Sequence, residues 1–396
     1  MAAESRKFTF FIIAYWHDPR FKRKVGGLIR IFELADNLTR LGNNVVLFLP
    51  KIGFPKKQSI AKVIEIPFID LPLLRLLSFQ LISTLILFGK LVAHVDFLYV
   101  RKMNSFIPML MAKLFRIPII FEIPNDPYLG YQSIGKIKRF LEKTIDKYSM
   151  RLADKIIVLS QWSKRRLNRI GGIPLSKILV LPSGTDTKLF RSLKKKECCR
   201  KLGLEPSFIY IGFVGSFFIY QGIDTLVEAA PHILEKFANT RFLLVGDGPM
   251  MNTWLNKVKE ERLRYAFIFT GQVPYKKVPD YIGAMDICVA PHQKDSNQAS
   301  PVKIFDYMAC GRPVVASNID VVGEIVGESE CALLVDPQMV DDLVKGIISL
   351  IEDEERRKEM SIRGREYAVY NFDRKKITED FLSNIQKLKA KRISFD

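Results

Sequence analysis

The sequence predicts an α/β protein built from two doubly wound parallel-sheet domains. A chain of 396 residues exceeds what one ordinary core organises. Short apolar runs rich in Val, Ile and Phe alternate with helical runs of 3.6-residue periodicity, the pattern of parallel strands covered by helices. That alternation stops at the basic stretch 191–201 (RSLKKKECCRK) and restarts at Phe208. Charge breaks at the same place. Residues 1–190 hold 31 Lys and Arg against 13 Asp and Glu, whereas residues 191–396 hold 30 against 29. The predicted domains are therefore 1–190 and 191–374, with a last helix, 375–396, returning to complete the first.

Composition narrows the class. With 48% apolar and 26% charged residues the chain is globular, neither disordered nor fibrous. Five cysteines (Cys198, Cys199, Cys288, Cys310 and Cys331) show no CxxC pair and no zinc spacing with histidine, which suggests reduced thiols in a cytosolic compartment. The N-terminal run 7–16 (KFTFFIIAYW) lacks a cleavage site and reads as a strand, not a signal peptide. The net charge of +19, concentrated in the first half, calls for an anionic partner there: a membrane surface, a phosphorylated acceptor or nucleic acid.

In order, residues 8–14 form a strand, 28–41 a helix with apolar Ile31, Leu34, Ala35, Leu38 and Leu41, and 45–49 the next strand. This is an opening βαβ unit. Gly26 and Gly27 before the helix allow backbone N–H groups to approach an anion, although by themselves they are a weak signal and a plain tight turn is the commoner explanation. Residues 71–92 are the most apolar stretch, but the uninterrupted core 76–89 has only 14 residues, short of the roughly 20 of a bilayer span. Gln80, Ser83, Thr84, Lys90 and His94 share one face, so the helix is either a core helix or one lying in a membrane interface. Strands 96–101 and 117–123 end in Arg101-Lys102 and in Glu122-Ile-Pro-Asn125-Asp126, at the carboxyl edge where open parallel sheets place ligands. Basic helices 136–152 and 161–170 flank a strand at 155–160; their charged faces are ordinarily just solvated.

In the second half, strands are predicted at 208–215, 241–245, 267–270 and 286–290, with a helix at 222–237. The stretch that organises the chain is 299–315, ASPVKIFDYMACGRPVV. Ser300 and Pro301 start a helix, Gly311 and Pro313 stop it, and Val314-Val315 begin a buried strand. Lys303 and Asp306 are three apart, on one helix face near its positive end. A lysine at a helix N-terminus suits a phosphate, and a nearby carboxylate suits ribose hydroxyls; a solvated ion pair is the plain alternative.

The residue order from Ser300 to Val315 resembles the motif of the retaining glycosyltransferases of family 4, which have the GT-B fold of two Rossmann-like domains facing a cleft. Further matches are Gly26-Gly27 with Arg30, the segment 181–190 (LPSGTDTKLF), Val-Gly246-Asp-Gly-Pro, and Gly271-Gln-Val273. The resemblance implies that Gly26 and Gly27 face the donor diphosphate, that the backbone near Val273 reads the base, and that Gly246, Ser300, Pro301, Val302 and Lys303 lie against the nucleotide-sugar. It implies a ribose role for Asp306. The sequence departs from the family at four places. Ser216 and Gln221 stand where an Arg and a Lys usually hold the diphosphate, Gln298 replaces the first of two paired carboxylates, and Pro124 stands near a usual histidine. Lys303, the helix start at Ser300–Val302 and Gly26-Gly27 are therefore expected to carry more of the charge stabilisation, with Arg101 and Arg312 as helpers. Glu122 and Asn125 are further catalytic candidates, Glu122 being equally readable as a structural group paired with a nearby lysine.

The expected function is retaining transfer of a sugar from a UDP- or GDP-sugar to an anionic, lipid-linked or glycan acceptor at the inner membrane face, in polysaccharide or glycolipid synthesis. No cofactor, metal or nucleic-acid partner is expected, and the departing phosphate oxygen itself takes the acceptor's proton. A GT-B epimerase or phosphorylase is the alternative within the fold. A basic nucleic-acid-binding protein is the alternative of another class, but it predicts a basic strip with interleaved aromatics that the sequence lacks.

Overall fold

The computed structural model describes residues 7–15, 26–52, 59–71, 74–91, 94–102, 106–124, 136–294, 296, 301–327 and 329–393. Two compact units divide the chain, one formed by Met1–Pro182 with Ile377–Asp396 and the other by Ser183–Lys376.

The first unit is built on strands β1 (Thr9–Ile13), β2 (Asn44–Pro50), β3 (Lys62–Ile66), β4 (Phe97–Arg101), β5 (Ile119–Glu122), β6 (Lys155–Val158) and β7 (Ile178–Val180). They pair in parallel, in the order β3-β2-β1-β4-β5-β6-β7. Its helices are α1 (Gly26–Arg40), α2 (Leu74–Leu91), α3 (Ile107–Leu114), α4 (Lys136–Leu152) and α5 (Gln161–Gly171). The second unit carries β8 (Ile209–Val214), β9 (Thr240–Val245), β10 (Phe267–Phe269), β11 (Ile287–Ala290), β12 (Val314–Ser317) and β13 (Ala332–Val335), in the order β10-β9-β8-β11-β12-β13. Its helices are α6 (Lys195–Leu202), α7 (Ile223–Lys236), α8 (Met251–Glu260), α9 (Val278–Ala284), α10 (Val302–Ala309), α11 (Asp320–Val326), α12 (Val340–Glu352) and α13 (Glu354–Asn371). The terminal α14 (Arg374–Ile393) follows. The order in which strands are added reverses once in each sheet, between β1 and β4 and between β8 and β11, and such switch points are where α/β sheets open a crevice for ligands.

Local sequence sets these elements. An aspartate just ahead of a strand accepts a backbone N–H from its neighbour: Asp96 from Thr9 at 2.7 Å, Asp154 from Ile119 at 2.8 Å, Asp286 from Tyr210 at 2.8 Å. Side chains from both faces of the first sheet form separate cores. One face packs Phe79 and Leu87 of α2, Met109 of α3 and Met150 of α4. The other packs Ile31, Leu34 and Leu38 of α1 with Ile377, Phe381 and Ile385 of α14. In the second unit Phe213, Phe217, Trp254 and Leu226 lie in one buried cluster. All five cysteines are free and buried, and burial raises each thiol above its ordinary pKa.

Three features differ from the sequence reading. The division falls after Pro182, eight residues before the predicted boundary at 190, because the Ser183–Phe190 stretch is stapled into the second unit. Arg374 donates to the carbonyls of Ser183 and Gly184, and Arg365 donates to those of Thr187 and Phe190. Strands β3, β7 and β13, of three to five residues each, and helices α3, α8, α9, α11, α12 and α13 were not foreseen. Most informative is α2, whose polar residues face inward. Gln80, Ser83 and Thr84 are buried while Leu74, Leu77, Leu81, Leu85 and Phe88 are exposed. No described helix is long and apolar enough to cross a membrane.

Candidate functional site

In the second unit the carboxyl ends of β8 and β11 flank the switch point. The turn after β8 runs Gly215–Ser216–Phe217 and ends at Gln221-Gly222, where α7 begins; β11 runs into Pro291-His292. Two glycines let these loops close on one another. A Cβ on Gly246 (φ +142) would lie 1.8 Å from the Gly215 carbonyl oxygen, and one on Gly222 (φ +68) 1.7 Å from that of Pro291. No other residue type fits either place.

Lys303 lies in the first turn of α10; its side chain is half-buried as a whole and its amine reaches this point. Its Nζ donates to Gln221 Oε1, lies 3.3 Å from His292 Nε2, and stands 4.7 Å from the centre of the Phe213 ring. The amino ends of α7 and α10, both positive, therefore converge on one ammonium group. Loss of hydration brings the Lys303 pKa down to about 7. His292 is buried and held well below its ordinary pKa, first by burial and then by Lys303. It is neutral at pH 7. Its Nδ1 lies 3.2 Å from the Ala290 carbonyl oxygen, so Nδ1 is the protonated nitrogen and Nε2 accepts from Lys303. Helix α10 itself is anchored by Tyr307, whose hydroxyl accepts the Val214 N–H at 2.7 Å.

Lys303 and Asp306 do not pair. Asp306 is 9% exposed, and its Oδ1 accepts from the Thr185 hydroxyl at 2.6 Å. Pro301 occupies the N-cap of α10 without a side-chain cap. The expected Ser300 cap, like Gln298 and Asn125, lies outside the described residues. Val302 begins the helix, Ser216 is half-buried in the turn after β8, and Gly246 bonds from its N–H to the Gly271 carbonyl at 3.0 Å, two residues before Val273. Arg312 donates to the carbonyls of Leu193 at 2.8 Å and Gly283 at 2.5 Å, a bracing role in the second unit that keeps its guanidinium from Lys303's cluster. His292 went unnoticed in the sequence, although its place directly after the strand ending at Ala290 marked it as a sheet-edge residue.

The first unit holds its own cluster at the carboxyl ends of β4 and β5. Glu122 is fully buried; its Oε1 accepts from Arg30 Nε at 3.1 Å and its Oε2 from the Tyr99 hydroxyl at 2.5 Å. Burial alone would raise this carboxyl, but Arg30, then Arg101, and the bond from Tyr99 together hold it below its ordinary value. Arg30 also donates to the carbonyls of Pro182 and Leu181, each at 3.0 Å. Both Glu122 oxygens are thus bonded within the protein, which fits an anchor for Arg30 better than the catalytic role expected of it. Gly26 and Gly27 form the first turn of α1, so the helix starts two residues earlier than predicted and includes the glycines.

Residues 26–189 match the family model described as Glycosyltransferase Family 4, and residues 194–367 match that of Glycosyl transferases group 1. The chain belongs to the family 4 glycosyltransferases. An α-D-kanosaminyltransferase of Streptomyces kanamyceticus is 20% identical over 265 residues, 65% of this glycosyltransferase chain and 67% of the relative. A GDP-mannose-dependent α-(1-6)-phosphatidylinositol monomannoside mannosyltransferase of Mycobacterium tuberculosis is 25% identical over 227 residues, covering 54% of this chain and 57% of that one. The structure of Anabaena HepE in complex with UDP superposes with a TM-score of 0.78 at 16% identity, over 96% of this chain and 100% of that one. That likeness confirms the GT-B fold, two Rossmann-like units, for this glycosyltransferase.

Proposed function

We propose that this glycosyltransferase transfers a sugar from a nucleoside-diphosphate sugar, with retention of configuration, to an anionic or lipid-linked acceptor at a membrane face. The observation that carries the donor reading is the convergence of Lys303 with the amino ends of α7 and α10 at the switch point of the second sheet. As the C1–O bond breaks, charge builds on the leaving diphosphate, and fixed donors aimed at it lower the barrier. Lys303 supplies the cation that the family draws from the positions here held by Ser216 and Gln221, while Gln221 and His292 hold its amine in place. Asp306, oriented by Thr185, takes the ribose hydroxyls. The leaving phosphate oxygen accepts the acceptor's proton, so no protein nucleophile is required, and protein groups compensate the charge without a metal. HepE's complex with UDP and the mycobacterial relative's use of GDP-mannose both support such a donor.

A thermal-shift panel with UDP, GDP, ADP and their sugar derivatives tests this. One nucleotide is expected to raise the melting temperature by several degrees, and Asp306→Ala to lose most of that rise. No response to any nucleotide would sink the donor reading; a rise that survives the substitution would remove the ribose role from Asp306.

The acceptor side rests on the first unit. Its exposed Leu77, Leu81, Leu85 and Phe88 on α2 run beside Leu110, Leu114 and Phe115 of α3, with the Phe88 and Phe115 rings 5.7 Å apart. Phe140 and Leu141 are likewise exposed on α4, a helix that also carries Arg139, Lys143 and Lys147. An apolar stripe on a strongly basic unit fits an anionic lipid surface. Leu77, Leu81 and Leu85→Gln is expected to weaken binding to vesicles containing anionic lipid by on the order of a hundredfold, at about 1 kcal/mol or more per leucine. Unchanged binding by the folded variant would show that α2 is not the anchor.

A further inference from the structure

Among the described residues, Lys303 sits beside groups that can share its hydrogen bonds but not balance its charge. Gln221 and His292, which take those bonds, are both neutral, and Phe213 offers only the face of its ring. The other ionisable groups near it on α10 are committed elsewhere: Asp306 to Thr185 and Tyr307 to the Val214 N–H. Among the described residues, no carboxylate from β8, α7, β11 or α10 forms an ion pair with the Lys303 amine.

We infer that binding of the nucleoside-diphosphate sugar draws about one proton from solution onto the Lys303–His292 pair, so that the cation at this site is completed by the donor itself. This rests on the reading of the site as the donor diphosphate pocket. Two adjacent basic groups with no counter-ion among the described residues disfavour one another's charge, and burial favours their neutral forms. A Lys303 pKa of about 7 leaves the amine largely neutral at pH 8. A diphosphate diester brings two negative charges and reverses that preference. The balance is simple: the neutral pair, one proton and the donor dianion give a singly protonated pair bound to the dianion, with no covalent bond made or broken.

The sign follows. The bound complex holds the proton more tightly than the free protein, so donor affinity is flat below the free pKa and falls as pH rises above it. The probe is whichever of UDP-glucose or GDP-mannose gives the larger thermal shift; neither has a terminal phosphate monoester to titrate in this range. Calorimetric titrations at pH 8, in buffers of different ionisation enthalpy, are expected to report uptake of about one proton, shrinking to about a tenth at pH 6. Between pH 7.5 and 8.5 the Kd is expected to rise by up to about tenfold. Lys303→Arg, whose side chain stays charged, is expected to bind with neither uptake nor this pH dependence. Wild-type binding at pH 8 without proton uptake, or uptake that persists in the arginine variant, would overturn the inference while leaving the donor site standing. Failure of the wild type to bind either sugar nucleotide would instead overturn the donor reading, and the inference with it.

Discussion

Replacing Lys303 with Met is expected to lower kcat by about two to three orders of magnitude, the loss seen when one donor to a developing oxyanion is removed. Several features make this the largest functional effect in the molecule. The positions after β8 that would supply two further cations hold Ser216 and Gln221. The amine lies close to the amino ends of two helices, and its contacts with Gln221 and His292 hold it in place. Methionine preserves length and much of the packing against Phe213 while removing the charge. The variant also separates function from stability. Lys303 has a pKa of about 7 in the folded protein against an ordinary 10.5, so the unfolded chain binds its proton more tightly. Its contribution therefore opposes folding most strongly below pH 7, weakens as pH rises, and vanishes above about 10.5. Lys303→Met is thus expected to melt no lower than wild type at pH 6 while losing turnover, a trade of stability for function. Steady-state kinetics with the donor found by thermal shift, beside melting curves at pH 6 and pH 9, decide the matter. A kcat within threefold of wild type would remove Lys303 from the chemistry.

The largest structural effect is expected at Glu122. Breaking a buried, hydrogen-bonded ion pair by deleting one partner costs about 3–5 kcal/mol, and Glu122→Ala strands both the Arg30 guanidinium and the Tyr99 hydroxyl, which is held well above its ordinary pKa by burial and then by Glu122. Glu122→Gln keeps an acceptor for Tyr99 but not the charge facing Arg30, and is expected to fall between. Because the folded state holds the Glu122 carboxyl below its ordinary 4.5, its stabilisation is fully present above that value and fades as pH falls through the lowered one. The wild-type excess over Glu122→Ala should accordingly persist from neutral pH to about pH 5 and shrink in stronger acid. A double-mutant cycle with Arg30→Met measures the coupling. If Glu122→Ala lost less than 1 kcal/mol, the anchor would be refuted and a catalytic assignment for this carboxylate would return.

The sequence by itself determined the parts that are local. The 3.6-residue rhythm of residues 28–41, the β-branched strands, and the Pro-to-Gly limits of the helix carrying Lys303 all lie within one element, where spacing dictates face and caps dictate ends. The repeated alternation sufficed for two parallel sheets, and the aspartates ahead of strands at 96 and 286 lay within the stretches read as strand starts. Tertiary structure alone decided the partners. Lys303 meets Gln221 from 82 residues away and Arg30 meets Glu122 from 92; such pairs follow from strand order and register, which no short window of sequence contains. The same holds for α2. Its periodicity showed a polar face and an apolar one, but which of them looks inward depends on what the sheet presents. Gln80, Ser83 and Thr84 went in beside Phe79 and Leu87, and Leu74, Leu77, Leu81 and Leu85 were left outside.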